Sequence, residues 1–148
     1  RTFGANGMQR YPTSGGSDSA IAYLPAAGLV PERPEGIYAL EPEVLAGVWD
    51  HLEQPAGGIK PGHGWIIDRS SWTPSTSLMA LGFARLGISD RAESILDWLA
   101  EHRTSAGSLP EKISGDGDPV SVAPLSWTAA NVIITLDELY GHRGGTSS

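Results

Sequence analysis

The chain has 148 residues, a formal net charge of −7 and no cysteine. The lack of cysteine excludes disulfide bonds and thiolate metal sites, and the acidic balance argues against nucleic-acid or anionic-membrane partners. Hydrophobic residues make up 40% of the chain, which suffices for the core of one domain, and no run reaches the roughly 20 apolar residues of a membrane span.

Five helices are predicted in chain order, with no convincing strand or hairpin between them. The first spans about Asp18 to Ala27, with Ser17 as a candidate N-cap, and Pro25 should kink or shorten it. The second runs from Pro42, a residue suited to the first helical position, to about Leu52. One apolar stripe predicts a single buried face for this second helix: Val44, Leu45, Val48, Trp49 and Leu52.

The remaining three helices differ in how far their apolar residues extend around them. The third begins at Thr73-Pro74, ends at Gly87 and is apolar nearly all round, which predicts burial on most faces. The fourth, from Ser89 to about Arg103, is amphipathic, and the fifth, from Pro124 to about Tyr140, is apolar around its first three turns. Fully buried helices that alternate with one-sided helices are typical of two concentric helical layers. We therefore expect an all-α fold, an arc of about five helices from an α/α barrel.

Three sequence blocks precede the third helix, follow the fourth and open the fifth. They are Gly57-Gly58-Ile59-Lys60-Pro61 with Ser71-Trp72-Thr73-Pro74, then Gly107-Ser108-Leu109-Pro110-Glu111-Lys112, then Pro124-Leu125-Ser126-Trp127-Thr128. In this order they resemble glycoside hydrolase family 15, the glucoamylase family, which includes glucodextranases and related exo-glucosidases. The resemblance covers roughly Asp18 to Gly141. It implies that residues 1–148 are the C-terminal portion of a single (α/α)6 catalytic domain, incomplete without an N-terminal segment.

The resemblance implies an inverting exo-acting α-glucosidase that releases β-glucose from non-reducing ends. In that mechanism one protonated Glu donates to the leaving oxygen and an ionised carboxylate about 6.5–9.5 Å away activates water. By the motif match, Glu111 is the general base. The family's acid motif has no match here, and Glu41-Pro42-Glu43 opens a helix of the outer layer. The general acid is therefore expected on another chain or on an N-terminal segment.

The same match implies four substrate-binding residues. Trp72 and Trp127 would line the pocket, although large aromatic residues are equally normal as core filling. Lys60 and Trp65 would contact sugar hydroxyls or rings. The alternative for Lys60 is a surface lysine without a binding role. Many glucoamylases carry an Arg-Tyr pair where this chain has Lys60-Pro61, and lysine is a point charge rather than a planar fork. We therefore expect a slight preference for α-1,6-linked, isomaltose-type substrates.

Several alternatives stay open at this point. The chain could belong to an α-1,4-specific or trehalase-like member of the family, or to a carbohydrate-binding barrel fragment without activity. Asp68 and His63 are weaker site candidates, since both residue types are common in turns.

Asp116-Gly117-Asp118 lacks the later ligands of a calcium loop and favours a plain turn. No metal or organic cofactor is expected, and the expected partners are an α-glucoside oligosaccharide and the polypeptide that carries the acid. No signal-peptide pattern opens the chain, which favours a cytoplasmic location. Expressed alone, an open barrel arc should be insoluble or inactive, because helices meant to be covered are exposed.

Overall fold

The computed structural model describes residues 9–28 and 42–141, and within them the protein is mostly helical. A 3-10 turn, Ser19–Ala22, continues into α1, Tyr23–Ala26, and the longer helices are α2, Pro42–Leu52, α3, Thr73–Arg85, α4, Ser89–Glu101, and α5, Ser126–Tyr140. Three two-residue strands also form: β1, Ser71–Trp72, β2, Lys112–Ile113, and β3, Pro119–Val120. The mostly helical fold class is confirmed, whereas the expectation of no strand or hairpin was wrong.

The central element is α3, which packs against α1, α2, α4 and α5. Every residue from Thr76 to Ala84 is buried, as the apolar pattern of this helix predicted. The helix ends at Arg85, and Gly87 takes a left-handed conformation with a φ of 77°, which glycine adopts without steric cost. On the α2 side, a Cβ at Gly82 would lie 3.1 Å from a methyl group of Leu45, so a small residue is needed for this close approach.

The first predicted helix is shorter and differently capped than expected. Asp18, not Ser17, is the N-cap: its backbone is extended and its Oδ1 accepts a hydrogen bond from the Ala20 amide at 2.9 Å. An aspartate oxygen that reaches the amide two residues on satisfies a donor that the first turn leaves free. The α-helical part is a single turn that contains the buried Pro25, as expected of a proline there.

The one-sided burial predicted for the second and fourth helices is confirmed. In α2 the residues Leu45, Val48, Trp49 and Leu52 are buried, and in α4 Ala92, Ile95 and Leu99 are buried. Trp49 and Trp98 are packing residues. The Arg91 guanidinium lies 4.9 Å from the centre of the Trp49 ring, and the Trp98 indole nitrogen donates to the carbonyl oxygen of Ala56 at 2.6 Å.

The fifth helix departs most from the sequence expectation. Its buried residues are polar, namely Thr128, Asn131 and Thr135, and this stripe faces α3, where the Asn131 amide donates to the Ser77 hydroxyl at 3.1 Å. Three of its apolar residues lie on the exposed side: Ile133 is 66% exposed, Ile134 43% and Leu136 42%. Val132 and Leu139 are partly buried and pack against the core, so within the described residues α5 is covered on one side only.

The three strands form an antiparallel sheet in the order β1-β2-β3. Trp72 pairs with Lys112, which pairs in turn with Val120. The turn that joins β2 to β3 contains Asp116 and Gly117, and the Ser114 amide donates to the carbonyl of Asp118 at 2.8 Å. Asp116-Gly117-Asp118 thus forms the turn predicted there. None of the helices in the described ranges is long and apolar enough to span a bilayer.

Candidate functional site

The loop that ends in Glu111 is fixed against the N-terminal ends of α3 and α5. The Thr73 amide donates to the carbonyl oxygen of Glu111 at 3.0 Å, and the Glu111 amide donates to the carbonyl oxygen of Val122 at 2.8 Å. The Leu125 amide, just before α5, donates to the carbonyl oxygen of Leu109 at 2.9 Å. Backbone bonds on both sides therefore hold Glu111 beside the starts of two helices.

A buried pair of threonines ties these helix ends together. The Thr73 hydroxyl donates to the carbonyl oxygen of Pro110 and lies 2.8 Å from the Thr128 hydroxyl. Thr73 is 1% exposed and Thr128 is fully buried. Burying a hydroxyl group costs free energy unless it is hydrogen-bonded. These contacts therefore favour this one position of the loop. The loop, α3 and α5 are joined at one point, one residue away from both Trp72 and Trp127.

Glu111 is partly buried as a residue, and its carboxylate has a defined partner. The Ser121 hydroxyl donates a hydrogen bond to Glu111 Oε2. Ser121 has a φ of 69°, in the left-handed region that non-glycine residues seldom adopt. Sequence reasoning missed this residue, because a serine after a short strand carries no motif. A positive φ at a serine is visible only in the folded chain.

Trp72, Trp65 and Lys112 form a cluster beside Glu111. The Trp65 ring meets the Trp72 ring edge-on, with centroids 5.1 Å apart and an interplanar angle of 81°. The Lys112 ammonium lies 4.2 Å from the centre of the Trp72 ring, at a distance typical of a cation–π contact. Both indole nitrogens of the tryptophan pair are buried and lack a hydrogen-bond partner within residues 9–28 and 42–141. Lys112 thus covers one face of the Trp72 ring, and the Trp65 ring packs against Trp72 edge-on.

Asp68 completes this cluster through Lys112. Its Oδ2 lies 3.4 Å from the Lys112 ammonium, and its Oδ1 accepts a hydrogen bond from the Ser70 amide at 3.0 Å. Burial by itself would raise the pKa of Asp68, but the Ser70 amide and the Lys112 charge outweigh it and hold the pKa below its ordinary value. Asp68 therefore supports the Lys112 side chain that covers Trp72.

A separate cleft of about 230 Å³ brings Trp65 and Trp127 together. Trp127 is 50% exposed and stands on the first turn of α5. Parts of the chain outside the motifs also contribute to its walls, among them Arg10, Asp18 and Tyr23. Arg10 Nε lies 3.4 Å from Asp18 Oδ2. The cleft thus combines three aromatic rings with one ion pair.

Not all of the predicted site residues meet in this cleft. Glu111, Trp72 and Lys60 are not part of its lining, and Trp65 connects it to Trp72 through the ring contact. Lys60 is partly buried, and its amide donates to the carbonyl oxygen of Leu52 at 3.0 Å. His63 is exposed and its amide donates to the carbonyl oxygen of Ser17 at 2.8 Å, so its backbone supports the segment before Asp18.

Three further observations bear on the chemistry. Of the two glutamates that were rejected as the general acid, Glu41 lies outside the described residues and Glu43 is exposed near the start of α2. Within the described ranges, no three His, Asp or Glu side chains are grouped as metal ligands would be. The sequence did not single out four residues that the cleft and the sheet bring to the predicted site residues: Arg10, Asp18, Tyr23 and Ser121.

Comparison with protein-family models, with curated proteins and with solved structures found no match to this chain.

Proposed function

We propose that the chain is the C-terminal part of an inverting, exo-acting α-glucosidase in which Glu111 is the general base. The observation that supports this most is the position of Glu111. Its backbone is bonded to the start of α3 and to the segment before α5, and its Oε2 accepts from Ser121. A carboxylate oriented in this way can accept a proton from water without reorganising first.

In the proposed reaction, a water molecule attacks the anomeric carbon while Glu111 Oε1 accepts one of its protons. The bond from the anomeric carbon to the glycosidic oxygen breaks, and that oxygen receives a proton from a carboxylic acid on the opposite face. The products are β-glucose and the shortened saccharide. The acid comes from an N-terminal segment or another chain, so Glu111 is one half of the catalytic pair.

The proposal includes an α/α-barrel arrangement. Two features support it: α3 is buried on most of its surface, and α5 directs Ile133, Ile134 and Leu136 away from α3. Apolar residues of this size on one helix face are typical of a surface that another helix covers. Further helices from the same enzyme would cover α5 and close the barrel.

The proposed substrates are α-1,6-linked glucosides of the isomaltose type, because Lys60 stands where the Arg-Tyr pair of many glucoamylases is expected. A lysine ammonium cannot form the two parallel hydrogen bonds of a guanidinium, so the grip on the sugar would differ. Initial rates on isomaltose, maltose and trehalose separate the α-1,6 preference from α-1,4-specific and trehalase-like alternatives. The highest kcat/KM on maltose or trehalose would overturn the α-1,6 preference.

The decisive experiment is Glu111→Gln, made in the protein as its source produces it, with any polypeptide that accompanies it. Glutamine has nearly the same shape but cannot accept the proton, so kcat should fall by about 10²–10⁴-fold while substrate binding is retained. Glu101→Gln, at the exposed end of α4, is the matched control and should keep full activity. Unchanged turnover in Glu111→Gln would show that Glu111 is not the base.

A second candidate is a carbohydrate-binding module without hydrolysis. The observation that favours it is that Trp65, Trp127 and Tyr23 line one cleft whose lining does not include Glu111. In this case the wild-type protein binds glucosides and releases no glucose from isomaltose, maltose or trehalose. Release of β-glucose, detected by the sign of the early change in optical rotation, excludes this candidate.

A further inference from the structure

The cleft between α1 and the start of α5 carries an ion pair that the proposed mechanism does not use. Arg10 Nε and Asp18 Oδ2 are 3.4 Å apart, and the Asp18 side chain is 19% exposed. Asp18 is also the N-cap of the first helical turn, so its Oδ1 is fixed by the Ala20 amide. The Ser19 amide donates to the carbonyl oxygen of Pro61 at 2.9 Å, which fixes the backbone beside it. The carboxylate therefore has a defined position in the cleft wall.

Three aromatic side chains also line the cleft. Tyr23 is 46% exposed and Trp127 is 50% exposed, while the partly buried Trp65 lies against Trp72 behind it. Exposed faces of such rings pack against the apolar C–H faces of a sugar, and their polar atoms can reach its hydroxyl groups.

We propose that this cleft binds one neutral pyranose ring, with Asp18 and Arg10 as the residues that select it by its hydroxyl groups. The inference rests on the proposed function for the class of ligand and adds the residues that would recognise it. Asp18 accepts from hydroxyl hydrogens and Arg10 donates to hydroxyl oxygens, and both are charge-assisted hydrogen bonds that give orientation as well as affinity. Trp127 and Tyr23 hold the faces of the ring.

Charge and size both limit the ligand. Among the described residues of the lining, Arg10 and Asp18 are the charged ones, and their charges cancel, so they favour neither an anionic nor a cationic ligand. The volume of about 230 Å³ is below the roughly 300–1,000 Å³ of pockets that hold drug-sized ligands, which leaves room for a single ring rather than an oligosaccharide.

The test is calorimetric titration of the protein, as its source produces it, with methyl α-D-glucopyranoside. Asp18→Asn keeps the acceptor for the Ala20 amide but removes the charge, and it should weaken binding by about tenfold. Arg10→Gln should weaken binding similarly and leaves the helix cap in place, so it decides the outcome if Asp18→Asn fails to fold. Asp97→Asn and Arg103→Gln, at exposed positions in and after α4, are the matched controls and should bind as the wild type does.

Two outcomes overturn this inference: wild-type protein that binds no glucoside, or glucoside binding that both Arg10→Gln and a folded Asp18→Asn leave unchanged. Failure of the proposed function is a different result. If the cleft binds glucoside with the predicted dependence on Asp18 while Glu111→Gln leaves turnover unchanged or the wild type has none, the base assignment is wrong and the cleft assignment stands. Conversely, if Glu111→Gln loses turnover while the cleft variants bind glucoside as the wild type does, the assignment of Glu111 as the base stands and the cleft assignment is wrong.

Discussion

The Ser121 hydroxyl donates a hydrogen bond to Oε2 of Glu111, and Ser121 holds a left-handed backbone conformation with a φ of 69°. Two sequence positions ten residues apart are thus brought together by the β2-β3 hairpin and the short segment that follows it. The positive φ of Ser121 costs free energy, and the same residue makes a defined hydrogen bond to a carboxylate. Such combinations are concentrated at functional sites, where the surrounding structure maintains them.

Ser121→Ala and Ser121→Gly separate the hydrogen bond from the backbone strain. Both remove the hydroxyl, so both should lower kcat by roughly tenfold, because hydrogen bonds to charged groups contribute about 1.5–3 kcal/mol. Glycine accepts the positive φ whereas alanine does not, so Ser121→Gly should be about 1 kcal/mol more stable than Ser121→Ala. Steady-state kinetics and urea unfolding measure the two effects. Full activity in both variants would show that Ser121 does not orient the carboxylate.

Thr73→Val should destabilise the protein by about 1–3 kcal/mol, because it leaves the buried Thr128 hydroxyl and the Pro110 carbonyl without their partner. Thr135→Val is the matched control. Thr135 is also fully buried, but its hydroxyl donates to the Asn131 carbonyl one turn back in its own helix. Removing that bond should cost little, since such local bonds add little to helix stability. Equal losses in thermal unfolding for the two variants would contradict a special role for Thr73.

The lowered pKa of Asp68 should make stability depend on pH in one direction. The Ser70 amide and the Lys112 charge both favour the ionised carboxylate, so this carboxylate stabilises the fold above the ordinary aspartate pKa of about 3.9. That contribution is lost as the pH falls through the lowered pKa, where Asp68 takes up a proton. Asp68→Asn should therefore be less stable than wild type at neutral pH, by a few tenths to about 1 kcal/mol for a partly exposed pair.

The same difference should shrink as the pH falls through the lowered pKa of Asp68, because the protonated side chain resembles asparagine. Chemical unfolding over a series of pH values measures it, with the exposed Asp97→Asn as control. A stability loss of the same size at every pH would contradict a contribution from the Asp68 charge.

The apolar side of α5 gives a prediction about the chain expressed alone. Ile133→Glu replaces a 66% exposed isoleucine with a residue of good helix propensity, so it should reduce self-association without loss of fold. Ile95→Glu, at a buried position of α4, should unfold the chain instead. Ala100→Glu, exposed on α4, should leave self-association unchanged. Analytical ultracentrifugation with circular dichroism distinguishes these results.

In the protein as its source produces it, the expected effect of Ile133→Glu is the opposite. If other helices of the proposed enzyme cover this face, a buried glutamate should destabilise the assembly and lower glucose release. A fully active, equally stable Ile133→Glu protein would contradict the proposal that α5 is covered.

Helix boundaries followed the sequence closely where local signals are strong. Pro42 opens α2, and Thr73-Pro74 and Gly87 bracket α3, because proline fixes the first turn and glycine permits the left-handed stop. The N-cap at Asp18 was misassigned because serine and aspartate cap equally well and only the backbone geometry distinguishes them. The strands were missed because two-residue strands leave no alternating pattern to detect.

The sequence by itself determined which segments are helical and which helices have one apolar face, because proline, glycine and the spacing of apolar residues act over a few residues. It also placed Glu111 in a Gly/Pro-rich loop just ahead of the helix that opens with Trp127. The tertiary structure alone decided that α5 contacts α3 through threonine and asparagine, and that Ser121 reaches Glu111. It also decided that Asp18 and Arg10 share a cleft with Trp65 and Trp127. These are contacts between residues distant in sequence, and they depend on how helix faces pack, which no local pattern specifies.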